Sequence, residues 1–148
     1  MRPKPIWLCL NVDAAISSTT GIGSVGGLDH IGVWIHGFQK PIGIISTIQA
    51  ELWAILIGLQ CAQKEGFEMV QIQSDCAEVV DIVNNLNAIR CSARATDVVW
   101  TPRECNKPVD YLARTATPHF LELICLSLPP AEVLFLLEQD YVDAPLLQ

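Results

Sequence analysis

Hydrophobic and polar positions alternate at the start of the chain: Ile6, Leu8, Leu10 and Val12 stand between Trp7, Cys9, Asn11 and Asp13. Period two is the repeat of a strand with one buried face. Residues 19–28, rich in glycine and threonine, predict a turn and a short, weak strand. Gly32 to Phe38, with Val33, Trp34 and Ile35, predicts another. Three strands with short links predict an antiparallel meander. The period then changes. Ile48, Leu52, Ile55, Leu56, Leu59 and Ala62 make one stripe, because residues three and four apart share a helix face. Ser46 with Gln49 forms a capping-box start, and Gly66 after Lys64 and Glu65 forms a stop.

Residues 70–74, VQIQS, alternate again and run into a short helix from about Cys76 to Asn85. Asp97 to Thr101, with Val98, Val99 and Trp100, predicts a last strand. Asn106 caps a final helix whose buried face is Val109, Leu112, Ala113 and Ala116. A tail punctuated by proline holds one more short helix, Ala131 to Gln139. The order is β-β-β-α-β-α-β-α. Strand–helix–strand links favour right-handed crossovers and parallel neighbours. The fold class is therefore α/β, a mixed sheet with helices on its faces.

A length of 148 residues fits one domain with a real core, here residues 1–148, with the core over about 6–117 and a helical tail over 118–148. A hydrophobic share of 51% against 17% charged argues against disorder. The longest apolar run, Phe120 to Leu128, is broken by Glu122 and is too short to span a bilayer. Arg2 and Lys4 are followed by only Ile6 to Leu10 before Asn11, which is no signal peptide. We expect a soluble, monomeric intracellular protein, nuclear or cytoplasmic, with no membrane partner. Six scattered cysteines without C-x-x-C spacing predict neither a zinc site nor a disulfide framework. His30, His36 and His119 also lack metal-ligand spacing. The net charge of −7 opposes a polyanionic partner, but Arg90, Arg94, Arg103, Lys107 and Arg114 gather in one stretch against Asp97, Glu104 and Asp110. Gly21 to Gly26, GIGSVG, literally matches a dinucleotide-binding loop. That loop requires a helix directly after it and an acid about twenty residues on. Here a turn and strand follow, and position 46 is Ser46.

Four acids stand where chemistry is the stronger explanation of the set. Glu51 lies three residues after Ile48 and four before Ile55, on the core-facing stripe. An ionised carboxylate there is costly unless a cation or metal meets it. Asp13 ends the first strand as Asp75 ends the fourth, and Asp110 lies in the first turns of the last helix. Each has a local reading: a turn aspartate for Asp13, a capping box with Glu78 for Asp75, and a helix-dipole partner for Asp110. Together they gather at the carboxyl ends of strands, where sites form in open α/β sheets. Carboxylates so gathered raise one another's pKa values, and divalent cations remove the penalty. Oxygen-only ligands suit Mg²⁺ or Mn²⁺.

The stretches LNVDAA around Asp13, STIQAELWAILIGLQCA around Glu51, VQIQSDCAEVVDIVN around Asp75 and VVWTPRECNKPVDYLARTA around Asp110 resemble the plant-type ribonuclease H-like domain of non-LTR retroelement reverse transcriptases. The tail LPPAEVLFLLEQD resembles the usual end of these domains, and the likeness covers most of residues 6–140. The resemblance implies a ribonuclease H-like, five-stranded mixed sheet in order 3-2-1-4-5 with helices on both faces. It implies cleavage of the RNA strand of an RNA–DNA hybrid with two Mg²⁺ ions, Mn²⁺ being a possible substitute. By motif, Asp13, Glu51, Asp75 and Asp110 match the metal-binding catalytic acids. Asn106, with Arg103 and Lys107, falls where substrate is expected.

The chain departs from that pattern in four places. Ala14 replaces the glycine that usually follows the first aspartate, and a methyl group crowds a closely approaching backbone. Trp100 replaces a histidine that assists the reaction or product release in relatives, so slow turnover is expected. GGLDHIGVW is about two residues shorter than the usual stretch, which predicts a shortened second strand or turn. Residues 86–96 are too few for the helix that relatives place between the fourth and fifth strands, although some ten residues suffice for a crossover. These departures and the acidic balance support an alternative: a degenerate or domesticated retroelement domain that binds nucleic acid or protein without cleavage.

Overall fold

A computed structural model describes residues 7–30, 34–86, 95–116 and 122–143, with the side chains of 86, 95 and 140–143 left aside. The alternating N-terminal run forms β1 (Leu8–Ile16), followed by β2 (Ile22–His30) and β3 (Trp34–Ile44). The capping box at Ser46 and Gln49 is present and starts α1 (Thr47–Lys64), and Gly66 follows its end at positive φ. β4 (Met69–Ser74), α2 (Ala77–Leu86), β5 (Ala95–Trp100), a 3₁₀ turn at Arg103–Cys105 and α3 (Lys107–Arg114) come next. β6 (Ile124–Leu126) and α4 (Ala131–Asp143) complete the order.

The sheet runs β5-β4-β1-β2-β3-β6. β1–β2 and β2–β3 pair antiparallel, whereas β4 runs parallel to both β1 and β5. The expected order 3-2-1-4-5 is therefore present, but the sheet has six strands rather than five. The extra strand, β6, pairs antiparallel with Gly37–Gln39 of β3. Three residues carry too little periodicity to read, and the unpaired edge of β3 supplies the partner groups that make them a strand. The tail is thus not purely helical, and α4 runs past the expected Gln139. The second strand is nine residues long and not weak. It is flanked by a strand on each side, so ladder bonds offset the poor strand propensity of its glycines. β3 likewise runs beyond Phe38 to Ile44. Gly21 to Gly26 form a turn and the start of β2, not a loop ahead of a helix. The shortened turn at 31–33, the crossover at 87–94, Arg90, Arg94, Cys91 and His119 lie outside the described residues.

Strand alternation splits the core in two. Leu8, Leu10 and Val12 point to one face and pack with Ala54, Ile55 and Leu59 of α1 and Val79 and Val83 of α2. On the other face Leu28 packs with Val109 and Leu112 of α3 and Val133 of α4. The expected stripe on α1 is rotated: Ala54, Ile57 and Gly58 are buried, while Leu56 is exposed beside Trp53. Gly58 explains the rotation. A Cβ there would meet Leu10 at 2.7 Å and Val12 at 3.1 Å, so the small residue brings α1 down onto β1. Gly26 does the same for the second layer, where a Cβ would lie 2.6 Å from the Ala113 main-chain nitrogen of α3. Phe38 is fully buried in the first layer, and truncating it to alanine would cost ~3–5 kcal/mol. The five described cysteines are free thiols. No helix among the described residues is long and apolar enough to cross a membrane.

Candidate active site

The parallel pairing of β1 and β4 ends with Val12 opposite Ser74. Asp75 is the first residue after β4. Asp13 is the next residue of β1, which does not end there as expected but runs on to Ile16 because β2 continues to pair with it. The register alone makes the two acids neighbours. α1 completes the group. Glu51 lies two turns before Gly58 on the same helix face, where the close approach of α1 to β1 carries it over the end of the strand. Ligand oxygens of Asp13, Glu51 and Asp75 all fall within 4.8 Å of one another. Asp13 and Glu51 are buried, at 4% and 5% exposure.

Asp75 is not the cap of its helix. α2 starts at Ala77, and the hydrogen bond at this corner is accepted by Ser74 Oγ from Cys76 N–H at 3.2 Å. Its carboxylate is not spent on the helix start, and the exposed Arg103 Nε lies 4.0 Å from its Oδ2. Asp13 Oδ1 accepts the Ala14 N–H at 2.9 Å. Ala14 packs its methyl against the core and also lines the cleft. Glu51 Oε2 is buried without a hydrogen-bond partner. Asp110 sits on the wall of the same cleft, outside the tight trio. Both its oxygens face Arg114 Nε, at 3.0 and 2.9 Å. Lys107 is exposed at the start of α3 and does not line the cleft.

Asn106 occupies the cap position of α3 but makes no side-chain cap bond. It is 1% exposed. Its Nδ2 donates to Val12 O at 3.0 Å, and its Oδ1 accepts from Asn11 Nδ2 at 3.2 Å. Asn11 Nδ2 also donates to Gln73 Oε1 at 3.0 Å, and His30 Nε2 lies 2.9 Å from Asn11 Oδ1. This polar network ties α3 to the middle of the sheet beneath the acids. The far end of α3 is fastened by Gln39 Nε2, which donates to Leu112 O at 2.8 Å, and by Ser24 Oγ, which donates to Ala113 O. Asn11 and Gln73 were not singled out in the sequence. The one signal was a polar residue in an otherwise buried strand.

Burial raises the pKa of Asp13 most, and the charges of Glu51 and Asp75 add to it, while the Ala14 N–H opposes. Burial and then Asp75 raise Glu51. Burial also raises Asp75, against the lowering influence of Arg103 and Asn106. Three carboxylates this close oppose one another's ionisation, and a bound cation would offset the repulsion. Acceptor-only oxygens, one of them orphaned, fit a hard divalent ion. The cleft around them has a volume of about 610 Å³ and continues past the β1–β2 turn at Ser17 and Ser18, with Arg103 and Arg114 on its walls.

The reverse transcriptase-like family model matches residues 11–96, which include Asp13, Glu51 and Asp75. An Arabidopsis thaliana protein named "Putative ribonuclease H protein At1g65750" is 28% identical over 90% of this chain. The chain spans 24% of that relative's length. Among solved structures, ribonuclease H1 of Halobacterium salinarum superposes with a TM-score of 0.69 at 20% identity, over 74% of this chain and 96% of that one. The N-terminal ribonuclease H domain of Rv2228c from Mycobacterium tuberculosis gives 0.68 at 19%, over 75% and 93%. The compost-derived LC11 ribonuclease H1, solved in complex with an RNA/DNA hybrid, gives 0.64 at 18%, over 74% and 95%. The family match covers more than half of the chain, and the chain belongs to the reverse transcriptase-like family, with the ribonuclease H fold.

Proposed function

We propose that this chain is a ribonuclease H-type endonuclease that hydrolyses the RNA strand of RNA–DNA hybrids with two Mg²⁺ ions. The observation that carries the reading is the meeting of Asp13, Glu51 and Asp75 within 4.8 Å where β4 ends beside the parallel β1. Nothing in the local structure requires a carboxylate at any of the three. Asp13, Glu51 and Asp75 would hold the ions from the floor of the cleft, and Asp110 would join from its wall. Held there, divalent ions would supply water activation and charge stabilisation at the leaving 3′-oxygen, and the product would carry a 5′-phosphate.

The chain itself supplies position and charge. The Ala14 N–H fixes the Asp13 carboxylate. Asn106 holds the start of α3 against β1 and so sets the distance of Asp110 from the trio. Arg114 neutralises Asp110 on the cleft wall. Arg103 on the cleft wall, with Lys107 exposed nearby, offers cations to strand phosphates despite the acidic total.

Cleavage of a labelled RNA–DNA hybrid in Mg²⁺ and in Mn²⁺ tests the proposal, with Asp75→Asn purified in parallel. The expected result is cutting by the wild type, with 5′-phosphate ends, that the variant lacks. A folded wild type that does not cut would favour the second reading, a degenerate or domesticated domain that binds without cleaving. The observations on that side are the Asp110–Arg114 pair and Trp100 in place of a histidine.

A further inference from the structure

We infer that Trp100 is a substrate-positioning residue, its indole stacking on a nucleotide of the bound strand beside the carboxylates while Arg103 meets that strand's phosphate. This rests on the ribonuclease H reading above. Trp100 ends β5 opposite Ser74, the residue before Asp75. Its Nε1 donates to the Asp75 main-chain oxygen at 3.2 Å. With that polar edge satisfied, the exposed remainder of the ring is hydrocarbon, and 54% of the residue faces water. Three residues on, the side chain of Arg103 is 89% exposed, with Nε 4.0 Å from Asp75 Oδ2. Asp75 is thus flanked by a flat apolar ring on its main-chain side and a guanidinium on its carboxylate side.

A ring and a cation beside a metal-binding carboxylate match the repeat of a nucleic acid, a flat base and a charged phosphate. Stacking tolerates any base, because every base has a π face. The contact would add affinity without sequence preference. None of the three exposed rings lines the cleft itself, but Trp100 is bonded to the Asp75 main chain, whereas Trp53 and Phe135, exposed at 47% and 57%, sit on α1 and α4. Trp53 is therefore a control.

The competing role for Trp100 is purely structural, a tether on the Asp75 turn through its N–H. Phenylalanine separates the two, since it keeps a stacking ring and removes the donor. Fluorescence anisotropy of a labelled RNA–DNA hybrid, in Ca²⁺, which carboxylates hold in looser geometry than Mg²⁺, gives the Kd for each protein. Trp100→Ala is expected to weaken binding about 5-fold or more, and Trp100→Phe and Trp53→Ala by less than about 2-fold. Equal binding by Trp100→Ala and wild type would overturn the inference. Equal weakening by Trp100→Ala and Trp100→Phe would overturn it in favour of the tether. A folded wild type that binds no hybrid would overturn the ribonuclease H reading together with it.

Discussion

One carboxylate oxygen of Glu51 is buried and unpartnered; a metal ion would partner it, and an amide substitution would remove the buried charge. Glu51→Gln should therefore raise apo stability by about 1 kcal/mol or more at pH 8, read by urea unfolding, while abolishing divalent-metal binding. A variant that is less stable without metal would show that the carboxylate is already satisfied. Asn106→Ala should act the other way. It removes the bonds to Val12 and Asn11 and should cost ~1–3 kcal/mol, lowering hybrid cleavage through misplacement of Asp110. Unchanged stability would exclude the strut role. Glu51 was legible because a charge on an apolar stripe contradicts its surroundings, and Asp75 because it follows the end of a strand. Asp13 was legible as an acid on the first strand, but it lies inside β1 rather than at its end. Asn106 was legible as the start of α3, but its partners were not. They depend on the sheet order that brings residue 106 beside residues 11 and 12, which no local pattern encodes. The Asp110–Arg114 pair needed only helical spacing and was available in the sequence.

At the scale of elements, the acids meet because two glycines let helices lie close on the sheet. Gly26→Ala pushes a methyl against the main chain of α3, which has no side-chain freedom to yield. It should cost about 1–3 kcal/mol, as overpacking does, and should weaken metal binding at Asp110 more than Val83→Ala, a core change on α2 in the other layer. Metal titration beside thermal unfolding checks both, and equal metal affinity at equal stability loss would refute the positioning argument. β1, β4, β5 and α1 to α4 were readable from their periods, and α1 from its capping box as well. The rotation of the α1 stripe was not, since it answers to Gly58 meeting Leu10 and Val12. β6 exists only through the edge of β3, and β2 is held by neighbours on both sides rather than by its own composition.

Across the whole molecule, buried acids set the response to pH. Asp29 is 1% exposed, its carboxylate has no hydrogen-bond partner, and His36 Nδ1 lies 3.9 Å away. Burial, with the charge of Glu65 added, raises its pKa to about 7, and Asp13 and Glu51 are raised as well. An acid whose folded pKa exceeds its unfolded value keeps its proton in the folded state after the unfolded chain has released one. Stability is then full below the unfolded value and falls as pH rises through the folded one. The apo protein should be more stable at pH 5 than at pH 8, and Mg²⁺ should restore stability mainly at pH 8, where the trio is being asked to ionise. Asp29→Asn should flatten the apo slope and leave the Mg²⁺ response intact, because Asp29 pairs with Leu10, three positions along β1 from Asp13. Stability that rises with pH in the absence of metal would contradict this. The most direct test of the central claim, that Asp13, Glu51 and Asp75 form a divalent-metal centre, is calorimetric titration of Mn²⁺ into the folded chain at pH 8 with and without hybrid, for wild type and Glu51→Gln. The account predicts saturable binding that tightens with hybrid, releases protons and disappears in the variant. A folded wild type with no saturable binding, or a variant that binds as well as wild type, would contradict it.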